Sequence, residues 1–153
     1  MGTLIAIRHG QSQWNLENRF TGWTDVPLTE RGGADAALAA AALKNFTFDI
    51  AFTSRLERAT GTLDIILKEL GQTPEVIHDS ALNERHYGDL QGLNKAETVE
   101  KHGKEQVQLW RRSFATRPPN GESMQDCEER TWPFFQQYIL PHLAAGKTVI
   151  VAA

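Results

Sequence analysis

The chain has 153 residues, 41% hydrophobic and 23% charged, with a formal net charge of −3. That fits a single domain, residues 1–153, able to bury a core without staples, and its mild acidity excludes a general nucleic-acid binder. The single cysteine, Cys127, rules out an internal disulfide, no Cys/His spacing suits zinc, and no apolar run reaches the ~18 residues of a spanning helix, so we expect a soluble, cytoplasmic protein with no membrane partner.

Leu4-Ile5-Ala6-Ile7 reads as a strand buried on both faces, ending at Arg8-His9-Gly10. Residues 11–28 carry Gly22, Asp25 and Pro27 without clean periodicity and read as a long loop, a common place for function. Thr29 is an N-cap for an alanine-rich helix running to about Lys44; Gly32 and Gly33 near its start should each cost about 1 kcal/mol relative to alanine. Asp49–Thr53 is a second strand, and Ser54 with Glu57 forms a capping box for a helix to about Leu70. Glu75–His78 is a third strand. Asn94 caps a helix expected to run to about Phe114, Pro118–Gly121 breaks the chain, and Ser123 with Asp126 starts a last helix kinked or interrupted at Pro133 and Pro141. Thr148–Ala153 is a final buried strand. This alternation predicts an α/β fold with a mainly parallel central sheet flanked by helices, whose ligands bind beyond the carboxyl ends of the strands.

Three clusters could carry chemistry there. His9 leaves the first strand between Arg8, a planar fork for phosphate oxygens, and Gly10, which would let a phosphate approach the backbone. Gln11, Ser12 and Asn15 add donors. On these residues alone a strand-end turn with incidental polar groups is an equal alternative. Leu82–Lys95 packs Glu84, Arg85, His86, Tyr87 and Lys95 among loop-forming glycines. A carboxyl group there would feel burial raising its pKa and arginines lowering it, and could exchange a proton with a hydroxyl; a solvated polar loop is the bland alternative. Arg58 falls in the first turn of the Ser54-capped helix, where free N–H groups favour anions. Arg111 and Arg112 end a helix after Trp110, where they could also merely offset its dipole.

Arg8-His9-Gly10-Gln11-Ser12-Gln13-Trp14-Asn15, then Phe20-Thr21-Gly22-Trp23, resemble the opening of cofactor-dependent phosphoglycerate mutase. Leu82–Lys95 resembles its most diagnostic segment, and Trp110–Ser113 and Pro119–Ser123 match as well. Arg-His-Gly alone would indicate only the wider histidine phosphatase superfamily. The resemblance, which spans essentially the whole chain, implies a phosphoglycerate mutase-like fold and an isomerase, an intramolecular phosphotransferase of glycolysis and gluconeogenesis. It implies that His9 is a phosphohistidine primed by 2,3-bisphosphoglycerate, that Glu84 is the general acid/base, and that Arg8 and Arg58 assist catalysis. Arg8, Gln11, Ser12, Asn15, Thr21, Gly22, Arg58, Glu84, Arg85, His86, Tyr87, Lys95, Arg111 and Arg112 are the implied ligands of phosphoglycerates. No metal is implied.

The family follows its last such strand with a His-Gly-Asn segment, whose histidine stabilises the transferring phosphoryl group; this sequence stops at Ala153, before it. The expectation is an impaired chain, slowed on the order of 100-fold or more. The span between Ser113 and Ser123 is short for the family and leaves homo-oligomer formation open. Two other readings stand beside the mutase: a histidine phosphatase, in which water takes the phosphoryl group, and a non-catalytic remnant that binds phosphoacids.

Overall fold

A computed structural model describes all 153 residues. Its strands β1 (Thr3–Ile7), β2 (Ile50–Thr53), β3 (Glu75–His78) and β4 (Thr148–Ala152) form one sheet in the order β1-β4-β2-β3. Every pairing is parallel, with Ile150 of β4 opposite both Ile5 and Ala51. The last strand therefore slots between the first two. This brings the carboxyl ends of β1, β4 and β2 together at a point where the chain order reverses, the place where open α/β sheets bind ligands.

Helices α2 (Glu30–Ala42) and α3 (Glu57–Leu70) cover one face. Ala36 and Ala40 let α2 lie close, and with Leu63, Ile66 and Leu67 of α3 they pack over Ala51 and Ile150. The other face is covered by α6 (Met124–Phe134) and α7 (Leu140–Ala144). There Phe134 and Ile139 join Leu82 against Ile50, Phe52 and Val149. A satellite cluster of Phe20, Leu90 and Val107 supports the loops above the sheet. The short α1 (Gln13–Leu16) and the pair α4 (Lys95–His102) and α5 (Lys104–Arg112) lie in that region of the chain. No helix is long and apolar enough to cross a membrane.

The α/β architecture is the one the sequence predicts, with five local corrections. β1 is not buried on both faces: it is an edge strand, and Leu4 is 41% exposed. An apolar run signals that a strand gains by burial, not that a neighbour covers it. The loop of residues 11–28 contains α1, capped by Ser12. The helix expected from Asn94 to Phe114 is two helices, broken at Gly103, whose φ of 83° leaves the helical region. The Ser54 capping box does not form. Ser54 Oγ accepts from Leu56 N, and the Glu57 amide donates to Asp25 Oδ1 at 2.7 Å, so a carboxylate from the long loop starts α3. Finally, α6 runs through Pro133, and the interruption is a π-helical turn over Phe135–Ile139. Pro141 sits at the start of α7, where a missing N–H is tolerated.

Candidate active site

His9 follows β1 directly, and its amide donates to the Ala153 carbonyl at 3.0 Å, extending the β1–β4 ladder. Its Nδ1 lies 2.7 Å from the Gly10 carbonyl. A carbonyl can only accept, so Nδ1 carries the proton and Nε2 presents a lone pair. Burial pushes the imidazole below its ordinary pKa; the Gly10 carbonyl opposes this and the nearby Arg58 charge adds to it. The structure thus favours a neutral His9 imidazole in a fixed tautomer, with Nε2 free.

Gly10 has a packing role that its sequence did not show. A Cβ on it would stand 2.2 Å from the Gly32 carbonyl, and one on Gly32 would stand 2.1 Å from the Gln11 carbonyl. The start of α2 crosses the His9 loop backbone to backbone, so both glycines are required by packing. This offsets the helix-propensity cost of Gly32. The Gly10 amide is held by Thr62 Oγ1 at 3.0 Å, whose hydroxyl donates to the Arg58 carbonyl.

Arg58, buried to 1%, is the electrostatic centre. It donates to Gly22 O at 2.7 Å, Thr24 O at 3.2 Å and Glu84 Oε2 at 2.8 Å. It thereby fixes the long loop and the Glu84 carboxylate relative to the His9 loop, which α3 also holds through Thr62. Gly22 contributes its carbonyl to Arg58 and has a φ of 57°.

A polar basin of about 310 Å³ opens between Arg8, Asn15, Thr21, Glu84, Tyr87, Lys95, Arg111 and Arg112. It adjoins a second polar cavity of about 310 Å³ bordered by Arg8, His9, Gln11, Asn15, Asp35 and Lys95. Arg8, Lys95, Arg111 and Arg112 take part in none of the chain's salt bridges. Burial lowers the Lys95 pKa and the Arg111 charge lowers it further, only partly opposed by Glu84. Four cations gathered outside any direct salt bridge, with Glu84 the one carboxylate in the basin, make a site for a polyanion.

Several residues expected as ligands act from behind. Ser12 is buried and reciprocally hydrogen-bonded to Asn15 in a capping box. Arg85 turns away from the basin, donating to Trp110 O and Arg111 O at 2.9 and 3.1 Å and lying 4.7 Å over the Tyr87 ring. It satisfies carbonyls at the end of α5, which leaves Arg111 and Arg112 free to face the basin. His86 accepts from Gly88 N and packs edge-on against Trp23.

Sequence reasoning gave no role to four further residues. Thr62 carried no signal, Trp23 and Glu122 were noted only as members of segments that resemble the family, and Arg130 sat in an ordinary charged helix. Yet Arg130 donates to Ala81 O, Asn83 O and Glu84 O, and Glu122 accepts from His86 N. On the far side of Glu84 a groove of about 490 Å³ is lined by apolar Leu4, Ala6, Phe135, Ile139 and Val151 and shares Arg8, His9 and Glu84 with the polar side. No group of three or more His, Cys, Asp or Glu side chains is placed to hold a metal ion.

Residues 4–153 match the histidine phosphatase superfamily, branch 1. A 2,3-bisphosphoglycerate-dependent phosphoglycerate mutase of Gloeobacter violaceus is 56% identical over all of this chain, which spans 70% of that relative. One of Nitrobacter winogradskyi is 57% identical over 98% of the chain and 74% of the relative. Among solved structures, a mycobacterial glucosyl-3-phosphoglycerate phosphatase complexed with VO3 superposes with a TM-score of 0.87 at 29% identity, covering 98% of this chain and 73% of that one. An enclosed neutral histidine beside a cluster of free cations, at the switch point of a parallel sheet, is thus found in a chain that belongs to the histidine phosphatase superfamily and, within it, to the 2,3-bisphosphoglycerate-dependent phosphoglycerate mutases, a family of isomerases.

Proposed function

We propose that this chain interconverts 3- and 2-phosphoglycerate through a phosphoryl group carried on His9 Nε2 and primed by 2,3-bisphosphoglycerate. The observation that carries the proposal is the set of four cations without carboxylate partners, Arg8, Lys95, Arg111 and Arg112, beside a histidine with a free Nε2 lone pair. A donor set of this charge fits a small molecule bearing phosphates and a carboxylate. Gln11, Asn15, Thr21 and Tyr87 supply neutral polar groups at the rim.

In the half-reaction Nε2 attacks phosphorus, an N–P bond forms and the P–O ester bond breaks. The leaving oxygen takes a proton from the Glu84 carboxyl group. Reversal with the other hydroxyl returns the phosphoryl group, and Glu84 takes that hydroxyl's proton. Splitting the transfer through a covalent intermediate lowers each barrier, and the cations supply the positioning and charge stabilisation on which phosphoryl transfer depends. Glu84 suits this role because its carboxylate borders the basin while Arg58 fixes Oε2. The five histidines of residues 1–153 are His9, His78, His86, His102 and His142. None lies in a His-Gly-Asn segment.

The phosphatase reading keeps some support from the structural likeness to a phosphatase. Intact mass after incubation with 2,3-bisphosphoglycerate tests the carrier: one added phosphoryl group is expected, and none in His9→Ala. Supplying 3-phosphoglycerate to the loaded protein then separates the readings. 2-Phosphoglycerate is expected; free phosphate alone would favour the phosphatase, and no added mass would count against both.

A further inference from the structure

Glu84 is held twice. Arg58 holds its carboxylate from α3, and a second assembly holds its backbone from α6. Arg130, with a half-buried side chain, donates through Nη1 to Ala81 O at 2.8 Å and through one shared Nη2 hydrogen to Asn83 O at 2.9 Å and Glu84 O at 3.0 Å. The remaining edge of its fork meets Glu122, Nε to Oε1 at 2.8 Å and Nη2 to Oε2 at 3.0 Å. Glu122 in turn accepts from the His86 amide at 2.8 Å, and its own amide donates to the His86 carbonyl at 2.8 Å. The Glu84 carbonyl takes a second donor, Trp23 Nε1, at 2.7 Å, and Arg130 lies 5.5 Å over the same indole. Three points of the chain within four residues, at 83, 84 and 86, are thus tied to one ion pair. Burial pushes the Glu122 carboxyl up, but Arg130 and the His86 amide outweigh it and hold the group below the usual carboxylate range.

Resting on the acid/base reading of Glu84, we propose that Arg130, braced by Glu122 and Trp23, is a positioning residue that sets the Glu84 carboxyl for proton exchange with the reacting oxygen. The fork is required: a planar guanidinium reaches three carbonyls and a carboxylate at once, and an ammonium cannot. Neither Arg130 nor Glu122 borders the polar basin, so the device acts on the chemical step and not on anion binding. A misplacement of about 1 Å at such a distance from the chemistry costs up to about 100-fold.

The test is a double-mutant cycle on the full chain, read as the rate of His9 phosphorylation from 2,3-bisphosphoglycerate by quenched intact mass. Glu84→Gln alone should slow the maximal rate on the order of 100-fold. Arg130→Gln alone should slow it at least tenfold while the half-saturating concentration stays within twofold, and Arg130→Lys should restore little. Combined, the two should be no slower than Glu84→Gln alone, because Arg130 acts only through Glu84. Trp23→Phe removes only the second donor and keeps the ion pair; it should slow the rate about threefold, again with no added loss on the Glu84→Gln background, and it supplies the answer should Arg130→Gln not fold. Losses that multiply, or a shift in half-saturation without a rate change, would overturn the proposal and leave the Glu84 reading intact. A normal rate in Glu84→Gln would overturn both.

Discussion

The polar basin and the apolar groove share Arg8 and Glu84 and are built on opposite principles. On the basin side, unpaired cations are held together, at a cost visible in the lowered Lys95 pKa, by buried supports: Arg58 beneath the loop, Arg85 at the end of α5, and the Phe20, Leu90 and Val107 cluster below. On the groove side, Leu4, Ala6 and Val151 of the sheet face open space bounded by Phe135 and Ile139. Hydrophobic burial, which would stabilise those side chains at about 25 cal/mol per Å², is left unrealised there. The difference shows where the fold invests its order: in repelling charges that only a ligand can neutralise.

The largest expected effect comes from removing the basin's support. Arg58→Leu leaves the Gly22 and Thr24 carbonyls without that donor and frees the Glu84 carboxylate. Because the Glu84 side chain is 38% exposed, its half of the ion pair is discounted. The orphaned carbonyls and the emptied guanidinium site should still cost about 3 kcal/mol. Thermal unfolding should shift down by roughly 10 °C, with His9 phosphorylation reduced at least 100-fold under conditions where the variant is folded. An unchanged Tm would mean that the loop and α3 are held by other contacts. Next in size is a basin cation itself. Lys95→Met should raise the half-saturating concentration of 2,3-bisphosphoglycerate about tenfold, the equivalent of one charge-assisted contact. It should raise Tm slightly, because a like-charge repulsion disappears. A loss of Tm would show that Lys95 supports the fold through its place over the Phe20 ring, 5.8 Å away.

The two regions were unequally legible in the sequence. The basin could be read because its residues are chemically conspicuous and fall in segments of fixed type: Arg8-His9-Gly10 after a strand, and Glu84 to Lys95 among glycines. What stayed hidden was which of them face the ligand. Arg85 and Arg111 look alike in sequence, but only the distances from Arg85 to the α5 carbonyls show that one builds the site the other lines. Arg130 was invisible because its partners are backbone carbonyls, which carry no residue signature. The packing role of Gly10 and Gly32 was hidden for a related reason. A glycine announces a close approach without saying whether a phosphate or a helix arrives. On the groove side, the apolar run of β1 predicted cover on both faces, and strand order rather than composition placed it at an edge.

A smaller effect separates chemistry from charge. His9 is held neutral by burial, so its folded pKa lies below the unfolded value near 6.5. The sign follows: stability from the buried neutral ring is complete above that value and declines as pH falls through the folded pKa. At donor concentrations well below half-saturation, where the rate reports the free protein, His9-dependent phosphorylation should stay within twofold between pH 8 and about 6.5 and fall only below that. A half-maximal point at or above 6.5 would mean that the imidazole is not desolvated as described. Moving to Lys95→Met should shift the acid limb little, since the cations felt at His9 are Arg58 and Arg8, not Lys95.

The smallest effect is the one that most directly tests the groove. Leu4, already 41% exposed on the edge strand, has little burial to lose, whereas Val149 and Ile150, one strand in, are fully buried. Leu4→Ser should therefore cost no more than about 0.5 kcal/mol, as for an ordinary surface position, and should leave His9 phosphorylation within twofold. A Tm drop approaching that of a core deletion, about 2–5 kcal/mol, would mean that in solution β1 is covered, and that the contrast between an ordered basin and an open groove does not hold for the protein as it is purified. The side-chain methyl signals of Leu4 and Val151 report the same point independently: mobile and solvent-accessible if the groove is open, protected if it is filled.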